Sequence, residues 1–221
     1  MSRIAPVALA LITGTALLSF MSAGNAAEEA IKAPAAAIAE TVAGHRETAV
    51  FAGGCFWGVQ GVFSPVKGVI SATSGYAGGV ASTASYETVS SGTTGHAESV
   101  QVVFDPAQVN YADLLRVYFS VVADPTQVNR QGPDTGTQYR GALFPTSASQ
   151  ERVARAYIAQ LAAMHVYAKP IATRIEMNRA FYPAEAYHQD FMARNPNYPY
   201  IVFNDRPKVE ALRRLFPTNW R

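Results

Sequence analysis

The chain has 221 residues, 18 Lys and Arg against 16 Asp and Glu, a net charge of +2, and a single cysteine. That balance gives no basis for binding nucleic acid or an anionic membrane. One cysteine excludes an internal disulfide framework and, with no His-x-x-x-His spacing, leaves a zinc site without support.

In chain order, residues 1–26 read as a secretory signal peptide. Arg3 is the only charge before Glu28, the run Ile4 to Phe20 is mainly apolar, and Ser22-Ala23-Gly24-Asn25-Ala26 supplies small residues for cleavage. The expectation is export to the periplasm, with an uncleaved anchor over residues 4–23 as the alternative. Cleavage removes Arg3 and no acid, so the net charge falls from +2 to +1. About 195 residues are left, enough for one sizeable core. Residues 27–46 are Ala-rich with one Pro and no strand pattern, which predicts a linker or a loosely held helix. Residues 47–221 form the catalytic domain on this reading.

Thr48-Ala49-Val50-Phe51 reads as a strand, and a helix-compatible segment runs from Val59 to Phe63. Between them lies Ala52-Gly53-Gly54-Cys55-Phe56-Trp57-Gly58, which places the cysteine at a strand-to-helix handover. Unpaired N–H groups and the helix dipole there favour a thiolate. The competing reading is an inert buried cysteine.

A second strand is expected over Val69 to Ser74, then a loop at Gly75-Tyr76-Ala77-Gly78-Gly79. The stretch through Ser85-Tyr86-Glu87 and Ser90-Ser91-Gly92 reads as a long irregular excursion. From Glu98 to Asp105 the alternation of Val100, Val102 and Phe104 predicts a strand with one apolar face. Asn110 caps a helix that carries Tyr111, Leu114, Leu115, Tyr118, Phe119 and Val122 on one stripe. Turn chemistry fills Asp124 to Thr137, and Gln138 to Phe144 is expected as a strand. Ser147-x-x-Gln150 resembles a capping box opening a long helix. A short strand at Thr173 to Met177, a helix over Tyr182 to Arg194 entered at Pro183, and a last helix over Pro207 to Phe216 complete the chain. The order strand, helix, strand, strand, helix, strand predicts an α+β fold: a two-layer sandwich with a mostly antiparallel, ferredoxin-like split βαβ sheet and long extra loops and helices.

Glu98 shares strand parity with Val100, Val102 and Phe104, so its carboxyl is expected on the apolar face. Desolvation raises a carboxyl's pKa there and keeps an acid available near neutral pH; a strand-end Glu curling back to solvent is the alternative. Asp134 is a turn former or a site residue. Two mechanisms use a lone activated cysteine. A Cys–His hydrolase needs a base, and His188, 133 residues after Cys55 with Asn204 beyond it, has papain-like spacing. Attack on a sulfoxide needs an acid for the oxygen and apolar rings for the S-methyl group. Cys55 with Glu98, Phe56 and Trp57 meets the second demand better.

Five blocks then stand together: Gly54-Cys55-Phe56-Trp57-Gly58, Gly95-His96-Ala97-Glu98, Asp124-Pro125-Thr126, Gly136-Thr137-Gln138-Tyr139-Arg140 and Tyr187-His188-Gln189-Asp190. In this order they resemble the methionine sulfoxide reductase A family, from about Ala49 to the last helix. The resemblance implies that Cys55 is the nucleophile and Glu98 the proton donor, with Tyr86 and Tyr139 bonding the sulfoxide oxygen. It implies a methyl pocket of Phe56 and Trp57, and substrate orientation by Asp134. The implied activity is reduction of the S-epimer of methionine sulfoxide, free or in oxidised proteins and peptides, by a monomer with no metal or organic cofactor. Many relatives carry recycling cysteines near the C-terminus. Here that region reads Tyr198-Pro199-Tyr200-Ile201, so a sulfenic acid on Cys55 must be reduced by an external thiol, a small molecule or a thioredoxin-like protein.

Overall fold

The computed structural model describes residues 30–40 and 44–221. The expected signal segment lies outside the described residues. Among those described, no helix is long and apolar enough to cross a membrane.

Strand β1 (Glu47–Ala52) leads into helix α1 (Phe56–Phe63), and β2 (Val69–Ala77) follows. A short helix α2 (Tyr86–Val89) precedes β3 (Ala97–Phe104). Helix α3 (Tyr111–Val117) continues as a π-helical turn over Tyr118–Val122. A small hairpin, β4 (Arg130–Gln131) and β5 (Asp134–Thr135), comes next, then β6 (Ala142–Phe144) and helix α4 (Ala148–Ala163). The C-terminal part holds β7 (Arg174–Ile175), β8 (Phe181–Pro183), α5 (Phe191–Arg194), a π-helical turn at Ile201–Asp205 and α6 (Arg206–Leu215).

The main sheet runs β7-β6-β1-β3-β2-β8. Its inner four strands, in order of appearance, stand fourth, first, third, second, which is the split βαβ arrangement. Every pairing is antiparallel except β6 with β7. The expected α+β sandwich is therefore the observed one. Its main core gathers on one face, where Phe51 stacks on Phe63 at 4.8 Å and lies beside Tyr111 and Tyr118. A smaller cluster of Val50, Ala52, Ala77, Ala97, Ala142 and Phe144 lies on the other face. Both faces of β3 are consequently occupied: Ser99 is as buried as Val100, and the simple in–out alternation expected there is lost.

Local signals set the helix starts. Asn110 accepts from Asp113 N–H at 2.8 Å, and Asp113 accepts from Asn110 N–H, a reciprocal cap that contributes about 1 kcal/mol. Ser147 caps α4 through Gln150 N–H, but only half the expected box forms. The Gln150 amide accepts from Thr146 N–H and donates to the Thr48 carbonyl instead, tying α4 to β1.

Four expectations are corrected. Gly75-Tyr76-Ala77 is strand rather than loop, because β3 and β8 pair with it from both sides and tertiary pairing outweighs glycine's weak strand preference. Only Ala142–Phe144 of the expected 138–144 strand is extended; Thr137–Tyr139 forms a 3₁₀ turn. The expected 182–194 helix is mostly absent. Phe181–Pro183 pairs on the sheet edge, where proline's missing N–H costs nothing, and Asp190 takes φ +51, leaving one helical turn behind it. The described part of the Ala-rich segment is neither helix nor free linker. Ala33 is fully buried, its N–H donates to Ser120 Oγ at 2.9 Å, and its carbonyl accepts from Arg116. Tyr157 and Gln160 of α4 bond Pro34, Ala35 and Ala37, so this segment lies as a strap against the helical layer.

Candidate active site

The site begins where β1 stops. Tyr118 donates its hydroxyl to the Ala52 carbonyl at 2.7 Å and fixes the end of the strand. Gly54 then takes φ +86, a left-handed conformation that turns the chain into α1 and that a side chain disfavours. Cys55 is the N-cap residue of α1, with φ −54 and ψ 123. The predicted strand-to-helix handover is thus present.

Cys55 opens onto a cavity of about 180 Å³. All seven residues singled out from the sequence line it: Cys55, Phe56, Trp57, Tyr86, Glu98, Asp134 and Tyr139. Tyr200 is the one addition. They come from α1, α2, β3, the β5 strand and the turn after it, so the sandwich and its long loops converge on one point.

Glu98 is 3% exposed and lies on the helix-side face with Val100 and Val102, as strand parity predicts. Its register partner on β2 is Tyr76. One carboxyl oxygen, Oε2, accepts the Phe56 N–H at 3.0 Å, so the first free amide of α1 points at the acid. Burial pushes the Glu98 carboxyl up from its ordinary 4.5 to about 8; the Phe56 bond opposes the rise, and Asp134 and Asp205 add to it. At neutral pH Glu98 therefore carries a proton.

The expected thiolate is not the resting state of Cys55. Burial raises the thiol well above its ordinary value, and the carboxyls of Glu98, Asp205 and Asp134 raise it further as they ionise. The Trp57 N–H is the one helix-end group that pulls it down. Because Phe56 N–H is spent on Glu98, the helix terminus is a weaker influence here than desolvation among carboxyl groups. The resting pair is a thiol beside a protonated acid.

Aromatic rings wall the cavity and are themselves held from behind. Trp57 stacks on Phe191 at 3.8 Å and 12°, and meets Tyr200 edge-on at 6.1 Å. Its indole N–H donates to His188 Nδ1 at 3.1 Å. His188 is 2% exposed and packs against Phe56 at 4.9 Å and Tyr86 at 4.4 Å. Burial lowers its pKa and keeps it neutral, and accepting the indole proton places its own proton on Nε2. His188 braces the rings and does not line the cavity, while the Asn204 amide donates to the Tyr200 carbonyl. The Cys–His hydrolase reading loses both its base and its orienting residue.

Neighbouring residues of the same motif serve the same bracing. Gln189 bonds both the N–H and the carbonyl of Ser74 through its side-chain amide, as a strand residue would. Gln60 of α1 donates to Asp190 and accepts from its N–H. Glu185 accepts from the Tyr76 hydroxyl at 2.8 Å and from Tyr86 N–H at 2.9 Å, which fixes the Tyr86 loop to the sheet.

Asp205 was not legible as a site residue, and Tyr200 could offer a hydroxyl but had nothing to mark it out among the 11 tyrosines. The Tyr200 hydroxyl donates to Asp134 Oδ2, so Asp134 is turned inward by a partner 66 residues away. Burial raises the Asp134 carboxyl, and the Tyr200 bond and Lys208 pull it down. Asp205 is fully buried against α1, in the space a side chain at Gly58 would fill: a Cβ there would lie 2.1 Å from Asp205 Oδ1. The glycine ending the cysteine motif is the one signal that pointed to it. Among the described residues, no group of three or more His, Cys, Asp or Glu could hold a metal ion.

Fold and site together place a buried thiol beside a buried carboxyl at one aromatic-walled cavity of an α+β sandwich. Residues 47–219 match the family model described as peptide methionine sulfoxide reductase. The chain is 58% identical over 178 residues to peptide methionine sulfoxide reductase MsrA 2 of Mesorhizobium japonicum, covering 80% of this chain and 91% of that protein. It is 51% identical over 170 residues to MsrA of Thermus thermophilus, covering 77% and 95%. Among solved structures it resembles reduced Mxr1 from Saccharomyces cerevisiae (TM-score 0.63, 31% identity, 73% of this chain and 92% of that one). Methionine sulfoxide reductase A of Corynebacterium diphtheriae is similar as well (TM-score 0.59, 30% identity, 78% and 92%). The chain belongs to the peptide methionine sulfoxide reductase family and is an oxidoreductase that reduces methionine sulfoxide.

Proposed function

We propose that this chain reduces the S-epimer of methionine sulfoxide in oxidised proteins and as the free amino acid, with Cys55 as nucleophile and Glu98 as acid. The observation that carries the reading is the cavity itself, which joins a thiol, a carboxyl protonated at neutral pH and two apolar rings within about 180 Å³. That is smaller than the ~300 Å³ at which sites for drug-sized ligands begin. It admits one side chain.

In the reaction the sulfoxide methyl lies against Phe56 and Trp57, and its oxygen accepts from Glu98 and from the hydroxyls of Tyr86 and Tyr139. Asp134, turned inward by Tyr200, orients the substrate backbone. The Cys55 sulfur attacks the sulfoxide sulfur while the Glu98 proton passes to the oxygen. The hydroxyl then moves from the substrate sulfur to the Cys55 sulfur, so that the S–O bond of the substrate and the transient S–S bond both break, Cys55 is left as sulfenic acid, and methionine departs. Substrate sulfur gains two electrons and Cys55 loses two. The thiol's own proton returns to Glu98, so the acid is reset. Distinct contacts for oxygen, methyl group and nucleophile admit one configuration at sulfur, in keeping with one enzyme per epimer; the S hand is that of the family.

Recycling then takes two equivalents of external thiol. The first displaces water from the sulfenic acid to form a mixed disulfide, and the second releases Cys55 as thiol with a disulfide product. The sequence holds no second cysteine to do this internally. A thioredoxin-like protein or a small thiol is the donor, and repair of oxidised proteins is the biological role. The composition of residues 1–26 supports export to the periplasm, and the whole cavity is built from one chain, which supports a working monomer.

The test offers separated S- and R-sulfoxides to the reduced enzyme with no thiol present. The expected result is one equivalent of methionine from the S-epimer, with Cys55 left reactive to dimedone. Turnover of the R-epimer alone, or full activity in Cys55→Ser, would overturn the reading.

A further inference from the structure

Asp205 has none of the ordinary employments of a buried carboxylate. Its side chain is fully buried, and among the described residues neither carboxyl oxygen has a hydrogen-bond partner. Asn204-Asp205-Arg206-Pro207 has the form of a helix cap followed by proline in the first turn, yet Asp205 sits in helical conformation and its side chain caps nothing in α6. Lys208, on the next turn, attracts it and forms no ion pair with it. An unbonded buried carboxyl is costly, by several kcal/mol in its ionised form. Such a group in a native fold calls for a task.

Its position suggests which task. Asp205 lies against Gly58, three residues after Cys55, so closely that a Cβ there would overlap its carboxyl. It closes the π-helical turn Ile201–Asp205, in the C-terminal stretch that holds Tyr200 at the cavity and packs α6 on α1. We propose that Asp205 is a positioning residue of the reductase: its negative charge, held against the first turn of α1, keeps Cys55 a thiol and Glu98 an acid until a sulfoxide enters.

The groups facing Cys55 set the sign. Glu98 from β3, Asp134 from β5 and Asp205 from the turn before α6 are acidic; Tyr86, Tyr139 and Tyr200 are neutral hydroxyls. Lys208 is the cation acting on Asp134 and Asp205. Burial raises Asp205 itself to about 7, so its charge grows in over the range where Glu98 begins to lose its proton. A charge that appears as pH rises holds both neighbours protonated to higher pH. For a chain with one cysteine this matters, because a thiolate is the form that oxidants attack.

The proposal rests on Cys55 as nucleophile, but its test reads the thiol without any turnover. Since the chain has one cysteine, iodoacetamide alkylation of the reduced full-length protein reports Cys55 alone. In Asp205→Asn the pH midpoint of alkylation should fall by about one unit, an approximately tenfold faster reaction at pH ~7. The alkaline limb of reductase activity should move down with it. Asp205→Leu, of similar size and needing no hydrogen bond, should do the same if the amide disturbs folding. A purely structural role would lower the melting temperature and leave both profiles in place. Unmoved profiles in a folded variant overturn the proposal, and so does failure of both variants to fold. Loss of reductase activity with a shifted alkylation profile would keep it.

Discussion

The backbone N–H of Phe56 donates to Glu98 Oε2 at 3.0 Å, which bonds the proposed acid to the residue that follows the proposed nucleophile. The strand that carries Glu98 and the helix that carries Cys55 are therefore locked in register at the site. The same bond leaves Glu98 one oxygen for a proton, and burial among other carboxyl groups keeps that proton on at neutral pH.

Glu98→Gln should retain the Phe56 bond and lose the transferable proton. The expected effect is a loss of about 10²–10⁴ in kcat/KM at neutral pH, the usual worth of general acid catalysis. In the unmodified enzyme the same parameter should fall as pH rises through about 8, where Glu98 loses its proton. A pH–rate profile for both proteins checks this. An unmodified enzyme whose activity holds level to pH ~10 would remove Glu98 as the acid.

Stability should also decline with alkali. Glu98 rises on folding from 4.5 to about 8 and Asp205 from 3.8 to about 7, chiefly through burial. Glu40 rises from 4.5 to about 7, through burial and then the nearby Glu47. For groups raised on folding, the native state holds more protons than the unfolded one. Their contribution is whole below about pH 4 and lost as pH climbs through the native values. Glu185, lowered by its bonds to Tyr86 and Tyr76, works the other way in acid. Melting temperatures should be higher near pH ~5.5 than near pH ~8.5, and Glu98→Gln should flatten that difference.

His188→Ala should leave the shape of the pH–rate profile intact. It removes the acceptor of the Trp57 indole N–H and a ring packed on Phe56 and Tyr86, so the methyl pocket loosens. KM should rise several-fold, with about 1–3 kcal/mol lost in denaturant unfolding. Complete inactivation with unchanged folding would restore His188 as a base.

Gly58→Ala should destabilise the fold by about 1–3 kcal/mol through overpacking on Asp205. The double variant with Asp205→Ala should recover much of that loss. A double-mutant cycle in which the two losses simply add would show that the residues do not share this space.

The sequence was most legible where local rules and chemistry agreed. Cys55 at a helix start, Glu98 on the inner face of β3 and the Asn110 cap are each read from a few neighbouring residues, and each is present. It was least legible where distant segments decided the outcome. Gly75 to Ala77 became strand because β8 arrives from about 105 residues on. Phe181–Pro183 became strand for the reciprocal reason. Asp205 drew no reading at all, because nothing local reveals that Gly58 leaves room for it. The state of Cys55 was misread likewise: the helix end is a local cue, while the burial and carboxyl charges that outweigh it come from β3, β5 and the C-terminus.

One cavity of about 180 Å³ serves a sulfur that is otherwise enclosed. On the proposed mechanism oxidant and reductant would therefore take turns at the same doorway: methionine would have to leave before a thiol could reach the sulfenic acid. Steady-state kinetics should show parallel lines in double-reciprocal plots, with each substrate inhibiting the other's half-reaction at high concentration. A cavity of that size would also act as a sieve on clients. With Cys55 as the proposed nucleophile, a sulfoxide on a rigid, buried helix could not be offered to it, whereas one on a frayed or unfolded stretch could, so the proposed repair would act on damage that loosens a protein.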